Sequence, residues 1–152
     1  MGPILAVDPG SRRLGLAISD PGRSLAFPRE VVAFEKLTEA VKAVKRLVVE
    51  EGVELIVVGL PLSLSGREGP AVEKARDLAR RLRKATGLEV VEWDERLTTV
   101  GAARAMHEGG LNSRQQRGRV DQVAAALLLQ TYLEALRGQG SGVGCQEPDG
   151  GL

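Results

Sequence analysis

Ile4, Leu5, Ala6 and Val7 form an unbroken apolar run that ends on Asp8, and Pro9 and Gly10 follow at once. A strand with one face in water alternates apolar and polar residues. A run that is apolar at every position must be covered on both faces, so this segment demands a central strand between two layers. The rest of the chain must supply neighbouring strands and helices for both sides. The run also leaves a carboxylate where the buried strand emerges into a tight turn.

The following segments meet that demand. Leu14 to Ser19 reads as a second strand, and the short Pro9 to Arg13 connection returns it antiparallel to the first. A third extended segment, roughly Ser24 to Phe34, follows the Asp20-Pro21-Gly22 turn. The pattern then changes: Leu37, Val41, Val44, Leu47 and Val48 make a helical stripe within Lys36 to Glu51, and Gly52 is placed to end it. Leu55 to Gly59 is a buried strand, "GLPLSLSGREG" a loop, and Pro70 to about Thr86 a helix closed by Gly87. Val90 to Asp94 is a fifth strand, with helices near Leu97 to Glu108 and Arg119 to Leu136. Three hairpin-connected strands followed by alternating helices and strands predict an α/β fold. Its five-stranded mixed sheet has the first three strands antiparallel, the last two parallel to the first, and helices on its flanks.

A chain of 152 residues has room for one such domain. Residues 1–137 carry it, and 138–152, "GQGSGVGCQEPDGGL", lack an apolar period and predict a disordered tail. A single cysteine, Cys145, excludes a disulfide framework and a CxxC zinc knuckle and fits a reducing compartment. No signal-type segment opens the chain and no run approaches the ~20 apolar residues of a membrane span, so the expected location is the cytoplasm, away from membranes.

Net charge is only +1, so affinity for a polyanion must come from local clusters. Three exist: Arg12 and Arg13; Arg76, Arg80, Arg81, Arg83 and Lys84; and Arg114, Arg117 and Arg119. Each alone reads as a solvated surface, but three in one small domain point toward phosphates.

In open α/β sheets the ligand crevice lies beyond the carboxyl ends of the parallel strands. Asp8 ends the first strand and Asp94-Glu95 ends the fifth, while Asp121 sits in what reads as the first turn of the last helix, one position off its apolar face. Singly, these are turn or helix-dipole residues. Jointly, carboxylates on one rim repel unless a cation neutralises them, and an all-oxygen set without His or Cys suits Mg²⁺ or Mn²⁺. Two such ions ~4 Å apart activate water and stabilise the leaving oxygen of a phosphodiester. Adjacent strand residues point to opposite faces, so one of Asp94 and Glu95 binds metal directly, with Glu95 the favoured member.

The segments "VDPGSRRLGLAISD", "VVGLPLSLSGREG", "DERLTT" and "VDQVAAALLLQTYL" together resemble the YqgF or RuvX family, relatives of the RuvC Holliday junction resolvase within the RNase H-like superfamily. The resemblance covers about Ile4 to Leu136. It implies an RNase H-like fold, metal-dependent phosphodiester hydrolysis and a role in maturing the 5′ end of pre-16S rRNA. It assigns the family's acidic positions to Asp8, to Asp94 and Glu95, and to Asp121. Arg12, Arg13, Arg96 and Arg119 are the expected phosphate contacts. Two departures stand out: Ser63 replaces a usual asparagine, and Arg117 and Arg119 stand where lysines often precede the last aspartate.

Other residues fit blander roles. Thr98 and Thr99 bind phosphate or cap the following helix; His107 lacks a partner motif; Trp93 reads as core. An actin-type nucleotide clamp needs a second domain, and a dinucleotide site needs a GxGxxG turn that is absent. A non-catalytic nucleic-acid-binding module remains the main rival, separable by metal dependence. Expected partners are structured RNA precursors or branched DNA, bound by a monomer or homodimer.

Overall fold

The computed structural model describes residues 2–10, 12–61, 69–94 and 114–140, with side chains in the last helix described over 124–137. The elements are β1 (Ile4–Pro9), β2 (Arg13–Ser19), β3 (Ala26–Ala33), α1 (Leu37–Glu51), β4 (Leu55–Leu60), α2 (Pro70–Thr86), β5 (Glu89–Asp94) and α3 (Arg114–Gly140). They form one five-stranded sheet in the order β3-β2-β1-β4-β5. β2 is antiparallel to both β1 and β3, whereas β4 is parallel to β1 and β5 to β4. The mixed sheet expected from the sequence is therefore the one formed.

β1 occupies the centre, and all of Ile4 to Val7 are fully buried. Leu5 and Val7 face α1 and α2, packing with Ile56, Val58, Val44, Leu47, Leu78 and Leu82. Ile4 and Ala6 face α3, packing with Leu55, Val57, Ala125, Leu128, Leu129 and Leu133. The unbroken apolar run thus serves two cores, one on each side. α1 and α2 end at Gly52 and Gly87, whose φ angles of 67° and 72° lie in the left-handed region that glycine enters without strain.

The amino end of β1 is pinned by Ser19, whose Oγ accepts the Ile4 N–H at 2.8 Å and donates to the Asp20 carbonyl at 2.9 Å. The Ser24 and Leu25 amides both donate to Asp20 Oδ1 at 2.8 Å, so these two residues belong to the turn and β3 begins only at Ala26. Those two N–H bonds hold the Asp20 carboxyl below its ordinary value of 3.8.

α3 differs most from expectation. It starts at Arg114 and not near Arg119, so Asp121 lies two turns inside it and the helix-dipole reading of that residue is withdrawn. Gly118 costs about 1 kcal/mol in a helix interior, but Gln115, Gln116 and Arg117 around it are good helix formers. α3 also runs to Gly140, three residues into the segment expected as tail. The helix expected near Leu97 to Glu108 and residues 141–152 lie outside the described residues. Among the described residues no helix is long and apolar enough to cross a membrane.

Candidate active site

Parallel pairing brings the carboxyl ends of β1, β4 and β5 to one edge of the sheet. Asp8 is there. Alternation with Ile4 and Ala6 turns its side chain to the α3 face, and at 2% exposure it joins Ser19 as one of two buried polar side chains among the described residues.

Its neighbours across the sheet are glycines. Asp8 pairs with Gly15 of β2, and one step beyond the registered pair Val7–Val58 its β4 neighbour is Gly59. Gly59 in turn pairs with Trp93 of β5. Strands lie about 4.8 Å apart, so the row Gly15, Asp8, Gly59 and Trp93 puts a glycine on each side of the carboxylate and an indole about 10 Å away. Trp93 stands edge-on to Tyr132, with centroids 5.1 Å apart and planes at 87°. Its Nε1 is buried and, among the described residues, donates no hydrogen bond. The sequence singled out Asp8 but not this row; the available signal was glycine inside otherwise apolar strands.

Asp94 shares the edge but not the face. It pairs with Leu60, which packs with Val90 in the α1 and α2 core, so alternation directs Asp94 away from the α3 side. Glu95 and Arg96 lie outside the described residues, as do Ser63, Thr98, Thr99 and His107.

One hydrogen bond anchors α3 on the sheet. Gln130 Oε1 accepts the Ala26 N–H at 3.1 Å, and Ala26 pairs with Ser19, beside the amino end of β1. From Gln130 back to Asp121 the helix rises about 13.5 Å, and Asp121 lies one turn before the sheet-packed Ala125. The side chains of Asp121 and Arg119 lie outside the described residues.

Of the arginines, Arg13 is half-buried and alternates with Gly15 and Ala17 on the Asp8 face, while Arg12 is exposed at the hairpin. The hairpin itself is tight. Gly10 N–H donates to Arg13 O at 2.8 Å, and a Cβ on Gly10 would lie 2.9 Å from that oxygen. The α2 cluster has mostly internal work: Arg76 and Arg83 pair with Glu92 at 3.5 and 3.1 Å, and Arg80 and Arg81 with Asp77 at 3.3 and 3.2 Å. That cluster reads as structural.

A buried carboxylate at a strand end suits a hard, oxygen-liganded cation. Among the described residues no three His, Cys, Asp or Glu side chains gather into a metal-binding group; Glu95 and the Asp121 side chain are not among them.

Comparisons with known proteins bear on the family and the fold. A family model described as RuvX, Holliday junction resolvase, matches residues 2–135. A protein of Acidiphilium cryptum named "Putative pre-16S rRNA nuclease" is 40% identical over 133 residues, 88% of this chain and 84% of that protein. One of the same name from Moorella thermoacetica is 42% identical over 133 residues, 88% of this chain and 95% of that protein. Among solved structures, T. thermophilus RuvC in complex with Holliday junction substrate superposes with a TM-score of 0.54 at 18% identity, covering 89% of this chain and 96% of that one. Thermus thermophilus RuvC alone gives 0.53 at 19% identity, covering 88% and 96%. At that identity the likeness bears on the fold, which is the RNase H-like one expected.

Proposed function

This chain belongs to the RuvX family, and on that premise we propose that it is a divalent-metal-dependent nuclease hydrolysing phosphodiester bonds in 5′-end processing of pre-16S rRNA. The name shared by relatives near 40% identity supports the substrate. The observation that carries the chemistry is Asp8, buried at the carboxyl end of the central strand between two glycines.

Asp8, Glu95 and Asp121 would hold Mg²⁺ or Mn²⁺. Such an ion supplies Lewis acidity, lowering the pKa of an attacking water and stabilising the leaving oxygen. The opposite facing of Asp94 favours Glu95 as the ligand from the DERLTT segment. Asp8 is rigid because the Ile4–Val7 backbone is paired on both sides, so the ligand oxygens need little reorganisation. Arg13, on the same face, and Arg12, Arg96 and Arg119 would hold the substrate phosphates. An acidic rim without a cation would repel those phosphates, which argues against a module that binds without metal.

The description of the matched family favours a second reading, cleavage of a four-way DNA junction. Symmetric cutting would require a homodimer, whereas RNA trimming is served by a monomer. Either substrate places the protein in the cytoplasm. The test is cleavage of a labelled RNA precursor and a four-way junction by wild type and Asp8→Asn, with Mn²⁺ and with chelator. Metal-dependent cutting of the RNA that is lost in the variant supports the proposal; junction cutting alone selects the second reading; binding that persists in chelator without any cutting overturns both.

A further inference from the structure

A cavity of about 310 Å³ opens at the same carboxyl edge, on the face of the sheet opposite Asp8. The β1–β2 hairpin contributes Pro9 and Gly10, the end of β4 contributes Pro61, and α2 contributes Ala71 and Lys74. Phe34 forms its inner wall, and Lys74 Nζ stands 5.2 Å from the centre of the Phe34 ring. Among the described residues of the lining, Lys74 is the one that carries a charge, and the others are apolar.

We infer that this cavity receives a single unstacked nucleobase of the substrate strand, with Lys74 on the adjoining phosphate. The inference rests on the nuclease reading and names how the substrate is gripped beside the cut. Continuity with the acidic edge is the first argument. Gly10 follows Asp8 by two residues, at most about 7 Å of backbone, so the cavity and the carboxylate meet the same edge of the sheet from opposite faces, and a strand crossing that edge reaches both. Charge complementarity is the second. Apolar walls with one cation suit a ligand that has a flat, weakly polar body and a negative tether, which describes a nucleotide. Arg12, exposed on the same hairpin, extends the positive charge along the strand's path. Size is the third. The volume lies at the lower limit of small-molecule sites, about 300–1,000 Å³, enough for one base and too small for a base pair with its backbone. Splayed bases resting on aromatic and apolar surfaces are a general mode of reading single-stranded RNA.

The test walks one abasic nucleotide through a fluorescent RNA carrying the cleavage site. Binding is read by anisotropy with Mn²⁺ on an RNA whose scissile phosphate is replaced by a non-hydrolysable linkage, and cleavage of the ordinary RNA with Mn²⁺ is run in parallel. For the wild type, one position beside the cut raises Kd about tenfold when its base is removed, and other positions do not. Ala71→Trp, at an exposed position on the rim, fills the cavity; it should bind intact and abasic RNA equally, at the weakened level. Lys74→Ala should weaken both RNAs and reduce the slope of log K against log salt by about one. A flat abasic walk in wild type, or full base sensitivity kept in Ala71→Trp, overturns the inference while cleavage stands. A flat walk is also the result if the cavity seats an apolar protein side chain. Absence of cleavage of every substrate overturns the nuclease reading itself.

Discussion

Two aspartates flank the strand pair at the start of the chain, and their surroundings separate their roles. Asp8 is buried at the carboxyl end of the central strand, whereas Asp20 Oδ1 accepts the Ser24 and Leu25 amides in the turn after β2. Because those bonds depress the folded pKa of Asp20, its stabilisation is present above its ordinary value of 3.8 and is lost as pH falls through the lower folded value. Asp20→Ala should therefore lower Tm at neutral pH, and the gap from wild type should narrow in melts taken progressively below 3.8. A gap constant with pH would contradict a charge-based role. The facing of Asp94 gives a second prediction at this scale. Glu95→Gln should reduce kcat on the order of a hundredfold or more, and Asp94→Asn by less than about tenfold, in cleavage assays with Mn²⁺. The reverse order would show that alternation does not continue past β5.

At the scale of elements, β1 holds the site because both its edges and both its faces are occupied. Ser19→Ala removes the acceptor of the buried Ile4 N–H and should cost about 1–3 kcal/mol in denaturant unfolding, with kcat largely preserved because the lost bond is at the far end of the strand. Gly59→Val addresses the other end. Its side chain would enter the row between Asp8 and Trp93 and should weaken metal binding more than folding, read from Trp93, the single tryptophan, by fluorescence titration with Mn²⁺. Much of this level was legible beforehand. The fully apolar Ile4–Val7 run, the Asp20-Pro21-Gly22 turn and the glycines after α1 and α2 each carry a local physical signal. The start of α3 was not legible, because Gly118 resembles a boundary even though the good helix formers Gln115, Gln116 and Arg117 beside it carry the helix through. The face taken by Asp94 depends on which strand residues meet which helix, information carried by register and not by local sequence. The cavity beside Phe34 gathers Pro9, Pro61 and Ala71 from three separate segments, so no single stretch could announce it.

For the whole molecule, a net charge of +1 must serve a polyanionic substrate through placement. Arginines of α2 are engaged with Glu92 and Asp77, leaving the β1–β2 hairpin to present Arg12 and Arg13 at the acidic edge. The fold sets Asp8, the proposed cation ligand, on one face of a strand end and an apolar cavity on the other, with Arg12 and Arg13 in the hairpin that joins β1 to β2. The most direct test of this account is the rate of Mn²⁺-dependent cleavage of a labelled pre-16S RNA fragment by wild type and by Asp8→Asn, with circular dichroism showing that the variant is folded. The account predicts a loss of at least about a thousandfold in a folded variant that still binds the RNA, since an essential metal ligand is removed from the chemical step. Cleavage at the wild-type rate by folded Asp8→Asn would contradict it.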